Sequence, residues 1–196
     1  MKDTNILNKA ISRRSFILGM SLTATGTVLG LFPSISSTAK IFSEGTEGEI
    51  LSFAPNVFLR VDPDNTVTVV IARSELGQGI RTTFSMILAE ELDADWEQIK
   101  AEQAEGDSKY GNQSTGGSTS VRTFWNTLRL AGATARDMFI TAAATIWGID
   151  KSGCRTEAGY VIETNGQRKL SYGELTEEAS KLPVPPSNKI KLKNKS

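Results

Sequence analysis

Two stretches of this chain combine residue types that can hold a ligand: Glu75-Leu76-Gly77-Gln78-Gly79 and Ser114-Thr115-Gly116-Gly117-Ser118-Thr119-Ser120. Glycine lets a backbone approach a bound group closely and enter conformations closed to other residues. Each stretch stands just before a run with helical spacing, and a helix N-terminus presents free N–H groups and a positive dipole end that suit phosphate. Ser118, Thr119 and Ser120 add hydroxyl donors. The Gln78 amide offers donors and an acceptor on one plane, the kind of group that reads the edge of a heterocycle. Together the two loops suit a phosphorylated heterocyclic cofactor. Neither is a P-loop, since no Gly-Lys-Ser/Thr is present, and neither is GxGxxG. Taken alone, either is more often a turn followed by a helix cap.

The rest of the chain narrows the chemistry. It has no His and one Cys, Cys154. That removes His-based triads, imidazole metal sites, internal disulfides and cysteine-ligated clusters. Glu75 reads as a loop carboxylate, not a base. Glu90, Glu91, Asp93 and Asp95 read as a solvated helix end, because a hard-metal site needs ligands converging from a loop. Arg122, Arg129 and Arg136 recur at seven-residue steps, as a solvated face or as partners of Asp137 and its neighbours. Trp96, Trp125 and Trp147 read as packing residues. No catalytic residue and no metal ligand is assigned.

The elements that must position the loops follow from pattern. Val57–Val61 and Thr66–Ile71 read as strands joined by the turn Asp62-Pro63-Asp64-Asn65. A helix is expected over 80–92, where Phe84, Ile87, Leu88 and Leu92 keep one face. Ile99–Gln103 suits a third strand. Residues 106–120 form a long polar loop, a feature that is usually functional or disordered. A helix over 121–147 follows, with Val121, Trp125, Leu128, Gly132, Ala135, Phe139, Ala142 and Ile146 on its buried stripe. A second hairpin spans 160–170. Ser171-Tyr172-Gly173-Glu174 is a capping box that opens a last helix to Lys181. The fold class is α+β, with β-hairpins packed against helices.

Residues 1–39 read as an export signal. Arg13-Arg14 precede Phe16 and Leu18 at twin-arginine spacing, the apolar stretch is too short and diluted to span a membrane, and Ser37-Thr38-Ala39 supplies a cleavage site. The mature chain then has a lead-in over 40–56, a body over 57–186 and a Lys-rich, disordered tail over 187–196. The formal net charge is zero, from 22 basic and 22 acidic residues. Between the leader and the four tail lysines, however, 14 basic face 21 acidic residues. A nucleic-acid partner needs a basic footprint, so this body argues against one.

In order along the chain, Ser74-Glu75-Leu76-Gly77-Gln78-Gly79, Leu88-Ala89-Glu90-Glu91-Leu92, Tyr110 to Ser118, Ala131 to Arg136 and Leu170 to Leu175 resemble the start of the molybdopterin-binding large subunit of the xanthine dehydrogenase / aldehyde oxidase family, in its isoquinoline 1-oxidoreductase beta-subunit branch. The resemblance implies a part of a larger molybdopterin-binding domain and a molybdenum–molybdopterin cytosine dinucleotide cofactor. It implies hydroxylation of an N-heterocycle or oxidation of an aldehyde, with electrons passed to a small [2Fe–2S] subunit. By the same resemblance Gln78, between Gly77 and Gly79, lies against the pterin. Thr115, Gly116, Gly117, Ser118, Thr119 and Ser120 form the second wall, with the Gly117 backbone near the metal and Ser118 and Ser120 near the pterin phosphate. Family members are several times longer, and their late catalytic Glu is absent here. The chain is therefore expected to be an N-terminal fragment, inactive alone, with the remainder of the large subunit missing. It would be carried to the periplasm or cell envelope by the twin-arginine translocase, with membrane association as the alternative where the leader stays uncleaved. The alternatives are a small exported ligand- or partner-binding module without catalysis, and an unstable piece with no function.

Overall fold

The computed structural model describes residues 52–166 and 168–194. The export signal read over 1–39 and residues 40–51 of the lead-in lie outside the described residues. β1 (Phe53–Asn56), β2 (Leu59–Val61), β3 (Val67–Ile71) and β4 (Ile99–Gln103) form one sheet in that order. The first two pairings are antiparallel and β3/β4 is parallel, with Val67 opposite Ile99 and Ile71 opposite Gln103. A parallel pair needs a crossover, and α1 (Ile80–Leu92) supplies it. α2 (Ser120–Trp147) follows. A second, antiparallel sheet of β5 (Cys154–Glu157), β6 (Tyr160–Glu163) and β7 (Lys169–Ser171) leads into α3 (Tyr172–Lys181).

Position in the sheet explains the strand compositions. β3 sits between two neighbours and Val67, Thr68, Val69 and Ile71 are all buried, as expected of a strand covered on both faces. β4 is an edge, and its Lys100 and Glu102 are exposed, which blunts pairing with other chains. The β2–β3 turn closes through Asp62 N–H to Thr66 O at 2.9 Å, with Asn65 at φ +69°.

The core lies between the first sheet and the helices. Phe53 packs on Phe139 at 4.6 Å between centroids, and Phe139 stacks on Tyr172 at 4.4 Å. The Tyr172 hydroxyl donates to Leu92 O at 2.6 Å, so this buried aromatic leaves no orphan donor. α1 and α2 cross at Gly132, where a Cβ would lie 2.6 Å from Leu88 O. α3 starts as closely: a Cβ on Gly173 would lie 2.3 Å from Pro63 O. The Ser171–Glu174 capping box is present as expected.

Several expectations change. β1 lies in the segment read as a lead-in and β5 in one where the pattern predicts no element, because Phe-Ala-Pro-Asn and Cys-Arg-Thr-Glu show no apolar alternation. The buried stripe of α2 is Phe124, Leu128, Ala131, Ala135, Met138, Phe139 and Ala142, whereas Val121, Trp125 and Ile146 are exposed. Trp96 is exposed as well. Glu91 does not belong to a solvated helix end: it is 1% exposed. Its carboxylate accepts from Arg129 Nε at 2.6 Å and pairs with Arg136 at 3.6 Å. The Lys-rich tail is ordered through Asn194 and anchors there. Lys193 N donates to Glu91 Oε2 at 3.1 Å, and the carbonyls of Lys191 and Lys193 accept from Arg136 and Arg129.

Candidate functional site

The parallel pair decides where the glycine loops go. β3 and β4 end side by side, so the segments leaving them emerge at one edge of the sheet. Ligand loops collect at this carboxyl edge in open α/β sheets. Residues 72–79 run from β3 into α1, and residues 104–119 run from β4 into α2. Gln103 ties the edge together, donating through Nε2 to Ile71 O at 2.8 Å, while Ala104 N–H donates to the same carbonyl at 3.0 Å. Ser74 N–H donates to Thr115 Oγ1 at 3.0 Å and joins the two loops directly. The sequence-predicted residues thus share one face. Gly77, Gln78, Gly79, Gly116, Gly117 and Ser118 are exposed there, Thr115 and Thr119 are half-buried, and Ser120 is buried.

The long second loop is ordered. Gln113 accepts from Asp107 N–H at 3.0 Å and donates to Glu105 O at 2.7 Å. The 3-10 turn Ser108–Tyr110 buries Tyr110 against Phe58, 6.2 Å between ring centroids. Beside it an open cavity of about 580 Å³ is lined by Ser74, Glu75, Arg81, Gln103, Gly106 and Gln113 among others.

The two loops differ in what they leave free. In the first, Glu75 fills the helix N-terminus. Its Oε1 accepts from Gly77 N–H at 2.8 Å and Gly79 N–H at 3.0 Å, and its Oε2 accepts from Arg81 N–H at 3.1 Å. These backbone donors, Arg81 first, hold the Glu75 carboxyl below its ordinary range despite some desolvation. The Gln78 amide turns back on its own loop: Nε2 donates to Ser74 O at 2.8 Å and Oε1 accepts from Leu76 N–H. The Gly77, Gly79 and Arg81 donors of this loop are thus already taken by a carboxylate.

In the second loop the donors stay open. Thr119 is the N-cap of α2, yet its hydroxyl donates to Gly116 O at 2.9 Å and caps nothing. The first turn of α2 holds no acidic residue. Among the described residues the N–H groups of Val121 and Arg122 have no acceptor. Gly117 and Ser118 take φ of +59° and +52°. For Ser118 that conformation costs about 1–2 kcal/mol, and it turns the chain so that the helix start faces outward. The residues therefore fit a phosphoryl group at the second loop and not at the first.

Sequence reasoning missed Arg73. It follows β3, is 3% exposed, and donates through Nη2 to Thr123 Oγ1 at 3.2 Å in the first turn of α2. Its Nε has no partner among the described residues, and its guanidinium lies 5.1 Å from the Phe124 ring centroid. The available signal was a charge placed between a buried strand and a glycine loop. Among the described residues no group of three or more Cys, Asp or Glu is placed to hold a metal. No described helix is long and apolar enough to cross a membrane.

Comparison with known proteins agrees with this geometry. The molybdopterin cofactor-binding domain family matches residues 9–195. The chain is 36% identical over 172 residues to isoquinoline 1-oxidoreductase subunit beta of Brevundimonas diminuta, covering 84% of this chain and 22% of that protein. It is 32% identical over 204 aligned residues to the membrane-bound aldehyde dehydrogenase [pyrroloquinoline-quinone] of Gluconacetobacter polyoxogenes, covering 97% of this chain and 26% of that protein. In fold it resembles the crystal structure of quinoline 2-oxidoreductase from Pseudomonas putida 86, with a TM-score of 0.50 at 19% identity, over 66% of this chain and 17% of that one. The chain thus spans about a quarter or less of the length of these relatives. Two glycine loops joined at the carboxyl edge of a parallel strand pair, together with a match over nearly the whole sequence, place this chain in the molybdopterin cofactor-binding domain family.

Proposed function

We propose that this chain forms part of the cofactor wall of a molybdenum oxidoreductase that hydroxylates an N-heterocycle or oxidises an aldehyde. The observation that carries this reading is the Ser74–Thr115 hydrogen bond, which joins the Gln78 loop and the Gly116–Gly117 loop on one open face. The cofactor is a molybdenum–molybdopterin cytosine dinucleotide, and when bound it supplies hydroxylation with oxygen drawn from water. The residues here bind and orient. Gly117, Ser118 and the first turn of α2 hold a phosphoryl group through backbone N–H groups and hydroxyls, which a helix N-terminus favours. Gln78 reads the heterocycle edge once its amide leaves Ser74 and Leu76. Glu75 fixes the loop that carries Gln78 and moves no proton. The proton-abstracting base, the substrate channel and the [2Fe–2S] partner lie outside these residues, so the 196 residues alone are inactive. The paired Arg13-Arg14 support export to the periplasm by the twin-arginine translocase.

A second reading has its own support, since one relative's name carries pyrroloquinoline quinone. One experiment separates them. The chain is purified as it exists, alone and after co-expression with a [2Fe–2S] subunit, and assayed for molybdenum, for cytidine monophosphate released by acid, and for quinone absorbance. Molybdenum and cytidine monophosphate in equal amounts, with no turnover by the chain alone, are expected. Quinone without molybdenum selects the second reading. A folded chain that carries none of the three reduces it to a binding module without catalysis. Fractionation of cells carrying Arg13→Lys/Arg14→Lys should move the chain to the cytoplasm, and unchanged export would sink the twin-arginine proposal.

A further inference from the structure

Arg73 is a cation without a counter-ion among the described residues. It is 3% exposed, and no ion pair forms to it among the described residues, although Asp and Glu pair elsewhere with Arg60, Arg129, Arg136, Arg155 and Arg168. Its Nε is sealed from solvent with no acceptor among the described residues. A buried charge needs a partner, because removal from water is not otherwise repaid. Its surroundings sharpen the problem. Nη2 reaches Thr123 in the first turn of α2, which is the positive end of the helix dipole. That turn carries no acid, and the N–H groups of Val121 and Arg122 are open. Glu75, the carboxylate in the neighbouring loop, is already committed to Gly77, Gly79 and Arg81. Two positive features abut with no negative group among the described residues. The Phe124 ring beneath the guanidinium stabilises its charge only in part.

We infer that Arg73 and the first turn of α2 together form an anion site that takes a phosphoryl dianion. Arg73 provides the planar, permanently charged donor from below. Val121, Arg122 and the Gly117–Ser118 turn provide backbone donors from the side. Arg73 is a binding residue and transfers no proton. The inference rests on the cofactor reading only for the source of the phosphate, which is either a pterin-linked phosphate or the free ion.

The test is a thermal melt of the full chain in phosphate against chloride at equal ionic strength, with inorganic phosphate as the probe. Phosphate at about 100 times its Kd should raise Tm by about 5–10 °C over chloride. Arg73→Met should abolish that rise while leaving the melt in chloride unchanged or higher, since an uncompensated charge has been removed. Amide resonances of Gly117, Ser118, Val121 and Arg122 should shift saturably with phosphate in the wild type and stay fixed in the variant. Equal effects of phosphate and chloride, or an undiminished phosphate response in Arg73→Met, overturn the site. Should Arg73→Met not fold, Arg73→Lys keeps the charge and loses the fork. About tenfold weaker phosphate binding is then expected, and unchanged binding overturns the assignment. Pterin content separates this proposal from the one it rests on. A phosphate response in a chain that never carries pterin leaves the site standing with free phosphate as ligand and sinks the cofactor reading. Pterin retained in full by an Arg73→Met chain, with no phosphate response in the wild type, sinks the site and spares the reading.

Discussion

Replacing Glu91 by Gln removes one charge and almost no volume from the last turn of α1, and its effect can be worked out from the structure. The Glu91 side chain is 2% exposed, and it faces Arg129 and Arg136, at 10% and 12%. Its Oε1 takes Arg129 Nε at 2.6 Å, and its Oε2 takes Lys193 N–H at 3.1 Å. The arginines also donate to backbone, Arg129 to Lys193 O at 2.6 Å and Arg136 to Lys191 O at 3.0 Å. One carboxylate thus balances two buried guanidiniums and fastens the tail. Breaking a buried ion pair by removing one partner costs about 3–5 kcal/mol, because the other charge stays buried and unpaired. At about 2–4 °C per kcal/mol for a chain of this size, Tm should fall by about 6–20 °C. Urea melts give the free energy, and amide exchange at Lys193 reports the tail. Exchange there should rise with the loss of stability. The triple variant Glu91→Leu/Arg129→Met/Arg136→Leu should recover most of the loss, since an apolar trio leaves no charge buried. A cooperative Glu91→Gln melt within about 1 kcal/mol of the wild type would refute the reasoning. The cluster would then be wet and worth no more than a surface pair.

Two further perturbations test the packing and the first loop. Gly173→Ala and Gly132→Ala each push a Cβ to within 2.3 and 2.6 Å of a backbone carbonyl, Pro63 O and Leu88 O. Each should cost at least about 1–3 kcal/mol in urea, and an unchanged midpoint would mean the helices stand further apart than described. The Glu75 carboxyl is held below its ordinary 4.5 by N–H donors, Arg81 first. Its contribution to loop order is therefore complete above that value and lost as pH falls through the lower folded value. The amide resonances of Gly77, Gly79 and Arg81 should titrate together below pH 4.5, and separate midpoints, or one at 4.5 or above, would break the link to Glu75.

Periodicity located the helices well, because α1 and α3 each bury one face against a neighbour and carry clear ends. The Ser171–Glu174 box fixed the start of α3, and the turn at Asp62–Asn65 fixed the β2–β3 hairpin. β1 and β5 were illegible for a physical reason. A strand with Pro55 in its middle, or one reading Cys-Arg-Thr-Glu, is stabilised by its partner's ladder and not by its own pattern. The stripe of α2 was misread by one position near its start, where Phe124 faces the core and Trp125 faces out. Adjacent aromatics give no periodic signal that chooses between them. The Glu91 cluster was hidden because its partners lie 38 and 45 residues away, and the tail that completes it lies 102 residues away. A charge run reads as solvated unless its partners are known.

The two glycine loops carry the sharper lesson. In sequence they are equivalent: glycines, a polar residue, then a helix. In the fold they are opposites. Glu75, four residues before the N-cap Gly79, folds over the start of α1 and takes Gly77, Gly79 and Arg81. The loop brings its own anion. The second loop has only Ser, Thr and Gly from Ser114 to Ser120, and its one capping candidate, Thr119, spends its hydroxyl on Gly116. Its helix start stays open, and Arg73 lies against it with nothing negative in reach among the described residues. The distinguishing signal is therefore not the glycines but the acid. A glycine loop with a carboxylate a few residues ahead of its helix is a closed structural cap. The same loop without one, beside a buried arginine, keeps its backbone donors open to a phosphoryl group.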